Sequence, residues 1–224
     1  MNYRDVVNTA LKEVGYQGQS KSSKYSKELD SYNYYNSKKD GACTWCAIFV
    51  DWCVFVNNGR NKEKTINIMC EDIKDNCGAG CTQHAQYYKD HGRWISKQSE
   101  ATTGDQIFFK KSNGQIYHTG IVVDWDNKGF YTVEGSTDGG KVSKRFYAYG
   151  DSKIAGFGRP DWYKYDSVST APNNEELYIK LAKECIDGKY GNGLTRKQKI
   201  NGLGYGTIYT KVQNYVNLIL RGQI

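Results

Sequence analysis

The strongest constraint on the fold is an apolar run, Ile48–Val56, that directly follows Trp45-Cys46-Ala47. The helix that this segment predicts, from Trp45 to about Asn57, is apolar on nearly every face. A helix of that kind has to be surrounded by the rest of its domain. The segment therefore predicts a central, buried helix with Cys46 at its start.

The position of Cys46 favours nucleophilic chemistry. A cysteine at the mouth of a helix faces unpartnered N–H groups and the positive end of the helix dipole, and both lower the thiol pKa. The usual partner is a histidine distant in sequence, and His118 precedes a predicted strand. Glu134 follows about fifteen residues later and is the acid that would orient the imidazole. Cys46, His118 and Glu134 together predict a thiol-hydrolase site.

Helical periodicity occupies the first half of the chain. Apolar residues repeat at helical spacing from Tyr3 to Val14, before a polar loop expected over residues 17–40. A further helix fits Thr82–His91, where His84 and His91 are expected to be solvated on a polar face. The 19 tyrosines and 5 tryptophans can fill a core although only 38% of the residues are apolar.

Strand signals replace helical ones from Gly104 onward. Short alternating segments are separated by Gly- and Asn-rich turns at 112–114, 126–129 and 138–140. The strand candidates are residues 106–109, 119–125, 129–134, 142–147 and 154–158. Helices followed by an antiparallel meander are typical of an α+β domain.

A second, smaller unit is predicted at the C-terminus. Residues 164–174 are small and polar, contain Pro172, and are interpreted as a linker. Residues 175–224 then fit three helices around a Gly-rich turn at 188–193, a size too small for a large core. This unit has eight basic and four acidic residues, so it carries +4 of the chain's net charge of +7.

The net positive charge and the sequence motifs restrict the classes of binding partner that the chain is expected to have. A basic protein favours anionic surfaces, such as nucleic acid or the anionic polymers of bacterial walls. No basic stretch interleaved with aromatics and no helix-turn-helix or zinc-finger spacing occurs, so nucleic acid is not a predicted partner. The polar N-terminus has no signal-peptide core and no run could span a membrane, so synthesis in the cytoplasm without membrane insertion is expected. Seven cysteines, an odd number, are then expected to be reduced.

A zinc site is the alternative interpretation of the cysteines. The candidate ligands are Cys43, Cys46, Cys70, Cys77, Cys81 and His84. Cys43 and Cys46 have the spacing of a zinc knuckle, but the remaining spacing matches no common class. A zinc ion on Cys46 would also remove the nucleophile. Neither a metal nor another cofactor is therefore predicted.

Six segments, in order along the chain, resemble the CHAP family of cysteine, histidine-dependent amidohydrolases and peptidases, a papain-related group close to NlpC/P60. The segments are Trp45–Cys53, Gly78–Cys81, Gly104–Phe109, His118–Val122, Val133–Gly135 and Gly156–Pro160. The resemblance implies a papain-like, NlpC/P60-like domain over residues 1–163, with N-terminal helices packed on an antiparallel sheet. It also implies a peptidoglycan hydrolase of the phage endolysin type, with Cys46, His118 and Glu134 as catalytic residues.

Two positions leave the site assignment open. Gly41-Ala42-Cys43-Thr44-Trp45 is similar to the Gly-Gln-Cys-Thr-Trp form of other CHAP domains, so Cys43 is a rival nucleophile. The register of the residues after Cys46 favours Cys46, and Cys53 is expected in the core. Many relatives have Glu-Gly-Asn where this chain has Glu134-Gly135-Ser136, so Ser136 is the candidate for an auxiliary role with a shorter reach.

The C-terminal unit resembles the small cell-wall-binding repeat found behind phage lysozymes and amidases. The resemblance rests on Leu181–Gly193, Arg196 and the segment from Tyr205 to Leu220. It implies binding to the disaccharide-peptide of peptidoglycan, with Tyr190, Asn192 and Arg196 as a stacking face, an amide and a cation. A single copy implies modest binding or a homo-oligomer formed through this unit.

The combined prediction is an enzyme that cleaves an amide bond of peptidoglycan after release from the cytoplasm. The bond is either the N-acetylmuramoyl–L-alanine amide or one within the stem peptide or cross-bridge, since the same triad serves both. Two alternatives stay open. One is a non-catalytic cell-wall-binding protein, and the other is an injected antibacterial effector with the same chemistry.

Overall fold

The computed structural model describes residues 3–72, 78–162, 174–203 and 208–224. Its contacts divide the chain into two compact units, Met1–Tyr165 and Asp166–Ile224. The predicted linker, residues 164–174, lies almost wholly outside the described residues, as do Cys77 and Tyr205. Within the described part of the chain, no helix is both long enough and apolar enough to cross a bilayer.

The first unit is an α+β structure with helices first and strands second, as predicted. Its helices are α1 (Tyr3–Lys12), α2 (Lys24–Ser31), α3 (Cys46–Asn57), α4 (Lys62–Met69) and α5 (Cys81–Asp90). Its strands are β1 (Trp94–Ile95), β2 (Gln106–Lys110), β3 (Ile116–Trp125), β4 (Gly129–Thr137), β5 (Lys141–Ala148) and β6 (Ile154–Gly158). A short 3-10 helix, Gln98–Glu100, lies between β1 and β2.

The strands form one antiparallel sheet in the order β1-β6-β2-β3-β4-β5. The four strands β2 to β5 are a meander, and β6 returns to pair with β2. All five predicted strands are present. The two-residue β1 was not predicted, because so short a segment has no alternation to detect.

Helix α3 lies at the centre of the first unit, as predicted. Every residue from Cys46 to Phe55 is buried. The helix contacts strands β3 and β4 and helices α1, α2, α4 and α5. The Tyr25 ring lies 5.1 Å from Phe49 and 4.8 Å from Trp52 between centroids, both edge-on. Edge-on aromatic pairs add about 0.5–1.5 kcal/mol each beyond the area they bury.

Residues 17–40 are not simply a loop, so that prediction was wrong. Ser23 caps α2, with its hydroxyl accepting from the Ser26 N–H at 3.1 Å. The buried face of the helix is formed by Tyr25 and Leu29, four residues apart and both inaccessible to solvent. The helix was missed because tyrosine supplies half of its apolar face. Helix α4 was missed as well, and it starts where Asn61 Oδ1 accepts from the Lys64 N–H at 2.9 Å.

Gly135 brings strand β4 directly onto the start of α3. A Cβ atom at this position would lie 2.5 Å from Phe49 Cβ and 2.9 Å from Trp45 Cζ3, closer than carbon atoms pack. The strand that carries Glu134 is therefore held against the helix that carries Cys46.

The second unit consists, in its described residues, of helices α6 (Asn174–Ile186), α7 (Gly193–Asn201) and α8 (Tyr209–Leu220). Its core is a cluster of apolar side chains that all three helices contribute to. The buried members are Leu177, Tyr178, Leu181, Ala182, Cys185, Tyr190, Ile200, Ile208, Val212 and Val216.

Candidate active site

Cys46 is the first residue of α3, and its side chain is only 3% exposed. No side chain among the described residues caps this helix end. The backbone N–H of Ala47 instead donates a hydrogen bond to the Cys46 sulfur. The sulfur thus occupies the place at the helix N-terminus where a negative charge is stabilised.

Cys81 lies beside Cys46, with 3.2 Å between the two Sγ atoms. Cys81 is the first residue of α5 and is 9% exposed. The hydrogen bond from Cys81 is the main cause that lowers the pKa of Cys46 well below its usual value, against the effect of burial and with help from His118. The same hydrogen bond and burial raise the pKa of Cys81. Cys81 therefore stays protonated and donates a hydrogen bond to the Cys46 thiolate.

His118 connects the sulfur to an acid. Its Nε2 lies 2.9 Å from Glu134 Oε2, which leaves Nδ1 as the ring nitrogen for the hydrogen bond with Cys46. Burial lowers the pKa of His118, but the hydrogen bonds and charges of Cys46 and Glu134 outweigh it and raise the pKa to about 9. The ring is fixed in place by stacking on Phe109, with centroids 5.8 Å apart.

Glu134 is held by residues that the sequence analysis did not select. Thr132 Oγ1 donates to Glu134 Oε1 at 2.6 Å, and Tyr147 also forms a side-chain hydrogen bond with Glu134. Arg145 Nε lies 3.9 Å from Glu134 Oε2. Strand alternation was the available signal, because Thr132 is two residues before Glu134 and pairs with Arg145 in β5.

The structure brings Cys46, His118 and Glu134 into one hydrogen-bonded series, and it places Cys43 elsewhere. Cys43 Sγ lies 4.0 Å from the Lys39 carbonyl oxygen, and burial raises the pKa of this thiol. A raised pKa keeps a thiol protonated and unreactive. The geometry favours Cys46 over Cys43 as the nucleophile. Cys53 is fully buried in the core, as predicted.

The hydrogen bond of the Ser136 hydroxyl lies outside the series of Cys46, His118 and Glu134. Ser136 has a left-handed backbone, with φ of 57°, at the irregularity of β4 that follows Glu134. Its hydroxyl donates to the Ser20 carbonyl at 3.4 Å. The hydroxyl therefore ties β4 to the segment before α2, and the geometry gives no support to the auxiliary role.

The expectation that His84 is solvated was wrong. His84 is 1% exposed, and its Nε2 lies 3.3 Å from Asp51 Oδ2 and 3.5 Å from Glu71 Oε1. It belongs to the buried face of α5, together with Ala85 and Tyr88. The polar composition of α5 concealed this face, because the partners of His84 are distant in sequence. His91, by contrast, is exposed, as expected.

Asp51, Glu71 and His84 are the described residues that could hold a metal ion, since their ligand atoms all lie within 4.8 Å of one another. Tyr35 donates to Asp51 Oδ2, and Tyr34 donates to Glu71 Oε2 at 2.9 Å. Burial and the neighbouring Asp51 raise the pKa of Glu71 well above its usual value.

The hydrogen bonds of Gln106 indicate that the cluster of Asp51, Glu71 and His84 is held together by a proton on His84 and not by a metal ion. Thr119 Oγ1 donates to the Ile107 carbonyl at 2.7 Å, so it has to accept from Gln106 Nε2 at 3.0 Å. That fixes the Gln106 amide, whose nitrogen also lies 3.2 Å from His84 Nδ1 and donates to it. The His84 ring proton is then on Nε2, facing the two carboxyl groups, where a metal would need a lone pair.

Tyr190 is not available as a stacking face, so that part of the predicted wall-binding site was wrong. The ring is 7% exposed in the core of the second unit, and its hydroxyl donates to Glu184. Asn192 and Arg196 do lie together, with Arg196 Nη2 donating to Asn192 Oδ1 at 2.8 Å. Arg196 Nε also donates to the Gly191 carbonyl at 2.8 Å, so this side chain closes the Gly-rich turn.

Comparison with known protein families matches residues 180–220 to the CW_7 repeat, a cell-wall-binding repeat. The matched residues include most of α6 and all of α7 and α8. The second unit thus associates this chain with cell-wall material. No curated protein and no solved structure matches the chain.

Proposed function

We propose that this protein is a peptidoglycan hydrolase that cleaves an amide bond through a Cys46–His118–Glu134 thiol mechanism. The observation that carries the proposal is the hydrogen-bonded series from the Cys46 sulfur through His118 to Glu134. The wall-binding repeat in the second unit supports peptidoglycan as the substrate class.

Each residue of the series has a role that follows from its position. The Cys46 thiolate attacks the amide carbon, and the resulting oxyanion lies near the N-terminus of α3, where the Cys46 N–H stabilises it. The His118 imidazolium gives its Nδ1 proton to the leaving amine as the C–N bond breaks, which leaves a thioester. Neutral His118 then takes a proton from water, which attacks the thioester and releases Cys46. Glu134 holds the ring through its hydrogen bond with Nε2.

Digestion of purified peptidoglycan followed by mass spectrometry tests the proposal. An N-acetylmuramoyl–L-alanine amidase releases intact stem peptides from the glycan, whereas an endopeptidase cuts the stems or the cross-bridges. Either outcome creates new amines and leaves the glycan strands uncut. New reducing sugar ends without new amines would show a glycosidase and contradict the thiol mechanism.

A non-catalytic wall-binding protein is the second candidate, because the family match covers the binding repeat alone. A protein of that kind would bind purified walls and release no fragments. The endolysin and the injected effector share the proposed chemistry, so they differ in how the enzyme reaches the wall and not in the digestion products.

The pH dependence of kcat/KM should show two limbs. Activity should rise as Cys46 ionises, at a pH well below that of an ordinary thiol, because Cys81 and His118 stabilise the thiolate. It should fall through about pH 9 as the His118 imidazolium loses its proton. The Cys81→Ala variant should move the acid limb to higher pH, because the thiolate loses a donor. Activity of the wild type that keeps rising above pH 9 would contradict the paired thiolate and imidazolium.

Removing the second unit should separate binding from cleavage. A protein that ends at Tyr163 keeps Cys46, His118 and Glu134 in their own compact unit, so it should cleave soluble wall fragments at the full-length rate. Its retention on purified walls should fall at least about tenfold, because the repeat raises the local enzyme concentration at the substrate. A pull-down at physiological salt measures this. Equal retention of the two proteins would show that the repeat is not the wall anchor.

A further inference from the structure

Cys46 and Cys81 form a pair of buried thiols whose sulfur atoms are 3.2 Å apart, and the hydrolytic mechanism needs only one of them as nucleophile. We propose that the pair is a peroxide-reactive dithiol, in which oxidation joins Cys46 to Cys81 in a disulfide and reversibly blocks the nucleophile. The effect on activity rests on the proposed function, whereas the disulfide chemistry rests on the geometry of the two thiols.

The geometry requires only a small movement. A disulfide has an S–S distance of about 2.05 Å, so the two sulfur atoms have to approach by roughly 1.2 Å. Cys46 and Cys81 are the first residues of α3 and α5, two helices that contact each other. Rotation about the two Cα–Cβ bonds is the movement that brings the sulfur atoms together.

The other described thiols are not placed to compete. Six cysteines lie in the described residues, and the four besides Cys46 and Cys81 are Cys43, Cys53, Cys70 and Cys185. Cys43 Sγ faces the Lys39 carbonyl, and Cys70 Sγ donates to the Ile68 carbonyl at 3.9 Å. Cys53 is fully buried in the main core, and Cys185 belongs to the second unit. Within the described part of the chain, Cys81 is thus the resolving thiol for Cys46.

The reaction balances with one molecule of hydrogen peroxide. The Cys46 thiolate attacks one peroxide oxygen, an S–O bond forms, and the O–O bond breaks to release hydroxide. This hydroxide takes up the proton that the Cys46 thiol lost on ionising and becomes the first water. Cys46 is thereby oxidised to a sulfenic acid while the peroxide is reduced. The Cys81 sulfur then attacks the Cys46 sulfur, so that an S–S bond forms and the S–O bond breaks. The proton of Cys81 and the departing hydroxide form water, and the net change is two thiols and one peroxide to one disulfide and two waters.

The burial of the pair fits a small oxidant. With 3% and 9% exposure, the two side chains admit a peroxide more readily than a bulky disulfide reagent. The Cys46 sulfur, once bonded to Cys81, can no longer attack a carbonyl. Disulfide formation also protects Cys46, since a sulfenic acid without a nearby thiol proceeds to the irreversible sulfinic and sulfonic acids.

Mass spectrometry of the full-length protein tests the proposal without relying on activity. Reduced protein is treated with hydrogen peroxide, its remaining thiols are alkylated, and intact mass and peptide maps are recorded. We expect the loss of two hydrogen atoms and one linked peptide pair that contains Cys46 and Cys81. Dithiothreitol should restore both thiols, together with wall digestion. The matched control Cys43→Ser should form the same link, and Cys81→Ser should instead accumulate sulfinic and sulfonic acid at Cys46.

Two results would overturn the proposal. One is wild-type protein in which Cys46 gains oxygen atoms and no linked peptide forms. The other is a link from Cys46 to a cysteine other than Cys81. The experiments can reject the proposed hydrolase and the proposed dithiol independently of each other. A Cys46–Cys81 link in a protein that never digests walls when reduced would reject the hydrolase and keep the dithiol. Digestion by the reduced enzyme without a link under peroxide would do the reverse.

Discussion

Cys46→Ala is expected to abolish the digestion of purified peptidoglycan, with turnover falling at least about 10³-fold. Cys81 Sγ lies 3.2 Å from Cys46 Sγ, but burial contributes to a raised pKa of Cys81, so this thiol is a poor replacement for the missing nucleophile. The fold should persist, because alanine suits the start of a helix and the sulfur belongs to a small cluster outside the main core. Release of soluble fragments and a thermal unfolding curve measure the two effects.

Cys43→Ala is the matched control for that experiment, since Cys43 is the rival nucleophile three residues earlier. It should keep most of the activity, because its sulfur faces the Lys39 carbonyl and its pKa is raised by burial. If Cys43→Ala were inactive and Cys46→Ala active, the assignment of the nucleophile would be reversed.

His118→Ala should be almost as severe, with a loss of at least about 10³-fold in kcat/KM. Both the proton donor to the leaving amine and the positive charge beside the thiolate are removed. The second loss has its own readout. Alkylation of Cys46 by iodoacetamide near neutral pH should become slower, because a smaller fraction of the thiol is ionised.

His91→Ala is the control for a histidine that has no role in this series. His91 is exposed at the end of α5, with its Nδ1 2.8 Å from the Tyr87 carbonyl oxygen. Its removal should leave both turnover and the alkylation rate unchanged. A His118→Ala variant that kept wild-type alkylation kinetics would show that His118 does not stabilise the thiolate.

Elements with a strong local pattern could be predicted from the sequence. Helix α3 could be predicted because only a buried helix explains its apolar run. The strands could be predicted because apolar and polar residues alternate between Gly-rich turns. Helix α2 was missed because its buried face depends on Tyr25, a residue that also occurs on surfaces. Because tyrosine occurs both in cores and on surfaces, its position in a periodic pattern does not show which helix face is buried. Only the packing of Trp52 and Phe49 against Tyr25 shows that it is buried.

The candidate site likewise contains residues that a local sequence pattern selects and residues whose role depends on tertiary packing. Cys46, His118 and Glu134 could be selected because each stands at the end of an element that the sequence predicts. In the structure, His118 and Glu134 lie inside the longer strands β3 and β4. The role of Cys81 could not be predicted, because it depends on the packing of α5 against α3. His84 was misjudged for the same physical reason, since a polar helix looks solvated until Asp51 and Glu71 are placed against it.

Gly135 has a consequence for how freely the site can vary. The separation between the nucleophile and the acid is set where β4 touches α3, by a hydrogen atom that occupies the place of a side chain. A side chain at 135 would collide with Phe49 and Trp45 and force β4, which carries Glu134, away from the start of α3. In the proposed enzyme, the alignment of the reacting groups is therefore set by a backbone contact and not by the side chains around them.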